Sequence, residues 1–153
     1  MKYNLIDHGF LLNLLGIGDS TNSIVKELLV DNAADLVDKG SLTEMVAGLE
    51  LLKYMSPNER HDLYYWQNLT RGTVSEVDYV LSRGIDIVPM EVKSGLRGAM
   101  ARLYVFMEKE HIKYAIRCSF ENFGEFVSPK GKKILVIPLY AISNLFSCGE
   151  RLL

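Results

Sequence analysis

The chain has 153 residues, of which 48% are hydrophobic and 24% are charged, and its formal net charge is −2. These values are typical of one globular domain with a sizeable buried core, and they exclude an intrinsically disordered chain. The nearly neutral charge also argues against a protein that binds nucleic acid over its whole surface.

The charges are unevenly distributed along the chain. Residues 1–76 contain six Lys and Arg against eleven Asp and Glu, whereas residues 77–153 contain eleven against eight. The second half therefore carries a small positive excess, which has the right sign for a phosphate-rich partner such as DNA.

Cysteine usage and the apolar runs predict the compartment. Cys118 and Cys148 are the two cysteines, and neither belongs to a CxxC pair or a His-rich cluster. This usage predicts a reducing, cytoplasmic environment and argues against a zinc site. The opening MKYNLIDHGF lacks the pattern of a secretory signal, and no apolar run approaches the length that crosses a bilayer, so we expect no membrane partner.

The first part of the chain predicts a helical N-terminal segment. A short strand over residues 2–6 is followed by an apolar helix over residues 10–15. Asp19, Ser20 and Thr21 then offer N-caps for a further helix that extends to about Asn32.

The clearest helix covers residues 41–55. Ser41 and Glu44 match a capping box, and an apolar stripe follows the helical period, formed by Leu42, Met45, Val46, Leu49, Leu52 and Met55. Glu44 shares its side of the helix with small and apolar residues, so this side is also expected to be buried. The pattern leaves two interpretations of Glu44 open, a helix-capping carboxylate and a carboxylate directed into a site.

The remaining chain predicts a three-strand meander, a helix that begins at Gly95, and two further strands. The predicted strands cover residues 63–67, two runs within 76–93 joined by a turn at 82–84, and residues 114–119 and 134–137, before a helical turn at 141–146. This order predicts an α/β fold with a mixed β-sheet flanked by helices, and one domain over residues 1–153.

The stretch EVDYVLSRGIDIVPMEVKS, residues 76–94, carries the main candidate site. Asp78 lies on its first strand, and Glu91 and Lys93 lie near the end of its second. Because side chains alternate along a strand, Glu91 and Lys93 point to the same side of the sheet. Two carboxylates and the carbonyl of Val92 suit Mg²⁺ or Mn²⁺, and a lysine beside them suits a phosphodiester.

An ordinary explanation of the same pattern remains open. An acid and a lysine two residues apart on a strand commonly form a solvated ion pair of little energetic value. Pro89, inside the second strand, predicts either a bulge or a missing ladder partner at that residue.

Several other residues have both a binding and a structural interpretation. Arg97 and Arg102, in the helix after the candidate site, would contact nucleic-acid phosphates or occupy a solvated face. Tyr64, Tyr65 and Trp66 would stack on bases or belong to an ordinary strand and core. Lys130, Lys132 and Lys133 would contact a nucleic-acid backbone or occupy a solvated turn. His8, His61 and His111 lie apart, without a serine or cysteine elbow, so no hydrolase triad is expected.

Five short motifs together resemble the C-terminal domain of a family of prokaryotic AAA-type ATPases, a domain of unknown function that is similar to the PD-(D/E)xK nuclease superfamily. In chain order they are Ile6-Asp7-His8-Gly9-Phe10-Leu11, the Gly40 to Glu44 segment, Tyr65-Trp66, Glu76-Val77-Asp78 and the Pro89 to Lys93 segment. The last two are the most specific. Val77 stands where the superfamily motif has proline, and no nucleotide-binding GxxxxGK[ST] motif is present in the chain.

The resemblance implies a restriction-endonuclease-like fold with Glu44, Asp78, Glu91 and Lys93 at a nuclease-type site. It also implies that the chain is a fragment or a stand-alone copy of a domain that accompanies an ATPase module. Two functions follow as hypotheses: a Mg²⁺-dependent or Mn²⁺-dependent nuclease acting on DNA, or a non-catalytic module that binds nucleic acid or protein and regulates the ATPase.

Overall fold

The computed structural model describes residues 39–55, 58, 62–70, 73–83, 85–95 and 99–147. Its elements, in chain order, are α1 (Lys39–Tyr54), β1 (Tyr64–Thr70), β2 (Thr73–Arg83), β3 (Asp86–Val92), α2 (Ala101–Lys109), β4 (Tyr114–Ser119), β5 (Gly124–Val127), β6 (Lys133–Pro138), a 3-10 turn (Leu139–Ala141) and α3 (Asn144–Ser147). The predicted N-terminal strand and helices, over residues 2–32, lie outside the described residues.

The strands form one mixed sheet of six, in the order β1-β2-β3-β4-β6-β5. The first three strands are an antiparallel meander, β4 runs parallel to both β3 and β6, and β5 closes the far edge antiparallel to β6. Helix α2 connects the parallel neighbours β3 and β4, as such a crossover requires. The prediction of an α/β fold with a mixed sheet and flanking helices is therefore confirmed.

Each face of the sheet carries its own apolar core. On one face, Ala47 and Leu51 of α1 belong to a cluster with Val88, Met90 and Val92 of β3. On the other face, α2 buries three side chains over the sheet, Leu103, Phe106 and Met107. The alternate residues of β3, including Glu91, therefore face the α2 side.

The sheet accommodates Pro89, which lacks a backbone N–H, without a bulge in β3. It pairs regularly with Val80 of β2, so the strand has no bulge there. The ladder to β4 begins only at the next residue, where Met90 pairs with Ile116. Pro89, which has no N–H, therefore lies before the first residue pair of that ladder. It has no ladder partner in β4, which is the second of the two predicted alternatives.

The helix after β3 begins later than predicted, at Ala101 instead of Gly95. Its first hydrogen bond runs from the Tyr104 amide to the Met100 carbonyl. Before it, the Lys93 amide still donates to the carbonyl of Cys118, at 2.8 Å. The chain therefore stays paired with β4 as far as Lys93, one residue beyond the end of β3.

Two other local predictions were wrong. Helix α1 starts at Lys39, so Ser41 lies within its first turn and does not cap it. Leu52, assigned to the apolar stripe, is 36% exposed, whereas Ala47 and Leu51 on the Glu44 side are fully buried. Strand β5 was not predicted, because its four residues are mostly exposed and form a strand only by pairing with β6.

Candidate active site

A bulge in β2 positions the first acid of the site. Tyr64 of β1 pairs with Val80, but Trp66 pairs with Val77, so β2 has one residue more than β1 across this interval. Val77 consequently packs on the α2 side and Tyr79 on the α1 side, although simple alternation would place both on the same face. Asp78 lies between them, at the irregularity, and bulges of this kind occur frequently beside functional sites.

The Asp78 side chain joins the site through the backbone of β3. Its Oδ2 accepts a hydrogen bond from the Val92 amide at 2.8 Å. The regular pairing of β2 with β3 ends at Tyr79 and Met90. The carboxylate of Asp78 therefore accepts the hydrogen bond of the Val92 amide in place of a main-chain carbonyl. This bond holds Asp78 beside the carboxyl end of β3.

Glu91 is the buried acid of the site. Only 4% of its surface is exposed, and its Oε1 lies 2.5 Å from Nζ of Lys93 on the same face of the strand. Its other oxygen, Oε2, is buried without a hydrogen-bond partner among the described residues. A buried carboxylate oxygen without a hydrogen-bond partner costs folding free energy. A proton or a cation bound at this oxygen would remove that cost, so the position suits either one.

Burial and a neighbouring acid both act on the protonation of Glu91. Desolvation is the largest cause and the charge of Asp78 the next, and together they raise the pKa of Glu91 from 4.5 to about 7. Lys93 and Arg102 act in the opposite direction and lower it. The electrostatic influence of Asp78 and Arg102 on Glu91 also shows that these charges lie near it.

The structure therefore brings together Asp78, Glu91 and Lys93, as the sequence predicted, and it adds Val92 through its amide. Arg102, exposed in the first turn of α2, lies close enough to affect Glu91. Arg97 lies outside the described residues, and ligation by the carbonyl of Val92 stays a prediction.

Glu44 lies on the other side of the sheet from the Glu91 side chain. The carbonyl of Glu44 accepts a hydrogen bond from the Tyr79 hydroxyl at 2.8 Å, which fixes α1 against β2 one residue beyond Asp78. In the described part of the chain, no three Asp, Glu, His or Cys side chains come together as a metal-binding group. The structure therefore does not bring Glu44 together with Asp78 and Glu91 as the sequence predicted.

Arg117 is a buried charge that the sequence analysis overlooked. It pairs in register with Glu91 across the parallel strands β3 and β4, so both side chains leave the same face. Its Nη2 donates to the Gly95 carbonyl at 3.4 Å, and its Nε lies 3.0 Å from Glu121 Oε2, in an ion pair without hydrogen-bond alignment. An arginine inside the otherwise apolar run YAIRCS was the signal that could have identified it.

The other candidate residues divide between core and surface. Trp66 packs on Phe106 with ring centroids 4.9 Å apart, whereas Tyr64 is 64% exposed. His111 follows α2 with a φ of 54°, and His8 and His61 lie outside the described residues. The basic run near Lys130 lies beside the far end of α2 and contacts Glu108.

In the part of the chain that the structure describes, no helix is long and apolar enough to span a membrane. Comparison with curated proteins and with solved structures gave no match. Residues 39–142, from the start of α1 to the residue after the 3-10 turn, match the model of a family described as a domain of unknown function, DUF4143. Because this match covers more than half of the 153 residues, the chain belongs to the DUF4143 family.

Proposed function

We propose that this domain is a divalent-metal-dependent phosphodiesterase of nuclease type that acts on DNA. The observation that carries the proposal is the buried, unpartnered Oε2 of Glu91, close to a second acid, Asp78, and with Lys93 on the same carboxylate. Ordinary ion pairs on a sheet surface are solvated, whereas this one includes a buried carboxylate whose pKa is raised to about 7.

The element order supports a more specific fold assignment. A helix, a three-strand meander, a crossover helix and a strand parallel to the third are the arrangement implied by the restriction-endonuclease-like resemblance. The proposal therefore includes that fold, and with it an origin as the C-terminal domain of an AAA-type ATPase.

Asp78 and Glu91 would hold Mg²⁺ or Mn²⁺, with the carbonyl of Val92 as a further predicted ligand. Oxygen donors of this kind suit both ions, and the charge of the ion would satisfy the buried Oε2. A bound ion would supply an activated water and would neutralise charge on the phosphate.

Two of the remaining groups would act on the substrate directly, and a third would position the loop beside the site. Lys93 is partly exposed, so its ammonium group can contact a phosphate oxygen in addition to Oε1 of Glu91. Arg102, at the start of α2, would bind a neighbouring phosphate. Arg117 acts as a positioning residue, because it connects β4 to the Gly95 carbonyl in the loop that leaves the site.

Plasmid cleavage tests the proposal. The purified protein should nick or cut supercoiled DNA with Mg²⁺ or Mn²⁺, and Asp78→Asn and Lys93→Ala should each abolish the activity. Asp86→Asn and Lys113→Ala are matched controls that alter the same residue types in an exposed pair at the other end of β3. Absence of cleavage of single- and double-stranded DNA and RNA, with either metal, would count against a nuclease.

A second function, a non-catalytic module that regulates an attached ATPase, is favoured by one observation. Among the described residues, two carboxylates converge at the site and no third acid joins them as a metal-binding group. This module would bind nucleic acid or protein equally well with and without chelator, and Lys93→Ala would behave like the unmodified protein.

A further inference from the structure

A groove lies along the C-terminal half of α2, at the opposite end of this helix from Arg102. It has a volume of about 560 Å³ and is bounded by α2 and the turn before β6. Apolar and charged side chains line it together, among them Tyr104, Val105, Glu108, Lys109, Pro129 and Lys130. A lining that combines apolar and positively charged side chains suits a ligand that is both anionic and partly apolar.

The charges around the groove are predominantly positive. Glu108 is its lining carboxylate, and two lysines share it, with Lys130 at 3.5 Å and Lys132 at 3.8 Å. Lys132 also donates to the carbonyl of Met107 at 2.8 Å, which offsets the negative end of the α2 dipole. Lys109 lies over the Trp66 ring at 5.7 Å, so its positive charge is not neutralised by this contact.

The turn that presents Lys130 is closed by hydrogen bonds. The amide of Ser128 donates to the Lys132 carbonyl, and its hydroxyl accepts from the Lys132 amide at 3.0 Å. Gly131 provides the positive φ of 82° that this closure needs. Lys130 is therefore held at a defined position beside α2, although its side chain remains exposed.

The groove and the candidate active site are connected by α2 itself. Arg102 and Lys109 are seven residues apart, which is two helical turns, so they lie on the same side at about 10 Å along the axis. A small phosphodiester cannot contact both positions, but a polymer that carries a phosphate on every unit can.

We propose that this groove binds the phosphate backbone of a nucleic-acid strand outside the cleavage site, with Lys109 and Lys130 as the phosphate contacts. The inference rests on the proposed function and extends it, since it assigns a second region of contact with the DNA, outside the cleavage site. Glu108 opposes binding, because it competes with the incoming phosphates for the nearby lysines.

Fluorescence anisotropy of a short labelled DNA, measured in EDTA over a range of salt concentrations, tests the groove without any cleavage. Lys109→Ala and Lys130→Ala should each weaken binding and lower the slope of log affinity against log salt by about one. Lys53→Ala is the matched control, because Lys53 is an exposed lysine of α1 on the opposite side of the sheet, and it should leave the slope unchanged.

Glu108→Gln provides a test that misfolding cannot imitate, because it should tighten DNA binding and steepen the salt slope. An unchanged slope in both lysine variants, or equally tight binding of polyglutamate, would overturn the groove as a nucleic-acid site. The two proposals can fail separately. Groove-dependent binding without metal-dependent cleavage rejects the nuclease alone, whereas cleavage with a normal slope in the lysine variants rejects the groove alone.

Discussion

The two ends of β3 carry the same kind of charged pair in different surroundings. At the hairpin end, Asp86 lies 2.9 Å from Lys113, and both side chains are well exposed, at 39% and 72%. At the other end, Glu91 lies 2.5 Å from Lys93, but the glutamate is buried and a second acid lies near it. The two pairs are alike in chemistry, so burial and the second acid are what distinguish them.

This difference shows how the surroundings of a carboxylate change its protonation. In the exposed pair, the hydrogen bond to Asp86 raises the pKa of Lys113, and water screens the rest of the interaction. In the buried pair, the lysine only partly offsets the loss of solvation and the repulsion from Asp78, so the pKa of Glu91 stays near 7. A charged partner is therefore insufficient evidence that an acid is structurally satisfied.

The largest expected effect is on the pH dependence of stability. A pKa of about 7 in the folded protein, against 4.5 for the ordinary group, means that the folded state retains the Glu91 proton to higher pH. Stability should therefore fall as pH rises from about 4.5 to about 7, by roughly 3 kcal/mol from this one group. Glu91→Gln should remove this part of the slope, as measured by urea unfolding over that pH range.

Adding a metal ion should distinguish the Glu91–Lys93 pair from the Asp86–Lys113 pair further. Mn²⁺ competes with the proton at Glu91, so the stabilisation that it gives should be larger at pH 8 than at pH 6. Asp86→Asn, at the exposed pair, should leave both the pH slope and the metal effect unchanged. A pH slope that persists in Glu91→Gln would contradict the assignment to this residue.

A smaller effect is expected from the hydrogen bond that Asp78 accepts. Asp78→Ala leaves the Val92 amide without this acceptor near the end of β3 and should cost about 1–3 kcal/mol of unfolding free energy. Asp86→Ala should cost about 1 kcal/mol or less, because its pair is exposed. Chemical denaturation of both variants at one pH measures the difference, and equal losses would remove the distinction between the two ends.

The smallest expected effect is the change in the pKa of Glu91 when Lys93 is replaced. Lys93 lowers the pKa of Glu91, so Lys93→Met should raise that pKa above its value of about 7. Lys113→Met, which alters the exposed pair, should leave it unchanged. NMR titration of the Glu91 side-chain carboxyl carbon measures both variants directly. A lower pKa in Lys93→Met would contradict the electrostatic description of the site.

The sequence predicted much of this site because alternation along a strand is a local rule. It placed Glu91 and Lys93 on one face and Asp78 on the adjoining strand, and the structure brings these three together. The start of α2 and the bulge at Asp78 were not predictable in the same way. Both depend on the distance between neighbouring elements of the fold, and a short stretch of sequence does not determine that distance.

Arg117 illustrates the limit most clearly. Its proximity to Glu91 results from parallel pairing of strands that a crossover helix separates in the chain. The sequence showed a charged residue in an apolar strand but gave no sign of its partners, Glu121 and the Gly95 carbonyl.

The sequence by itself determined the order of the main strands and helices, the two-faced pattern of β3 and the chemical identity of the acids and the lysine. These properties follow from side-chain types and local periodicity. Only the tertiary structure decided which acid is buried, because burial depends on the packing of α2 and β4 around the end of β3. That burial changes Glu91 from one member of an ordinary ion pair into a carboxylate that titrates near neutral pH.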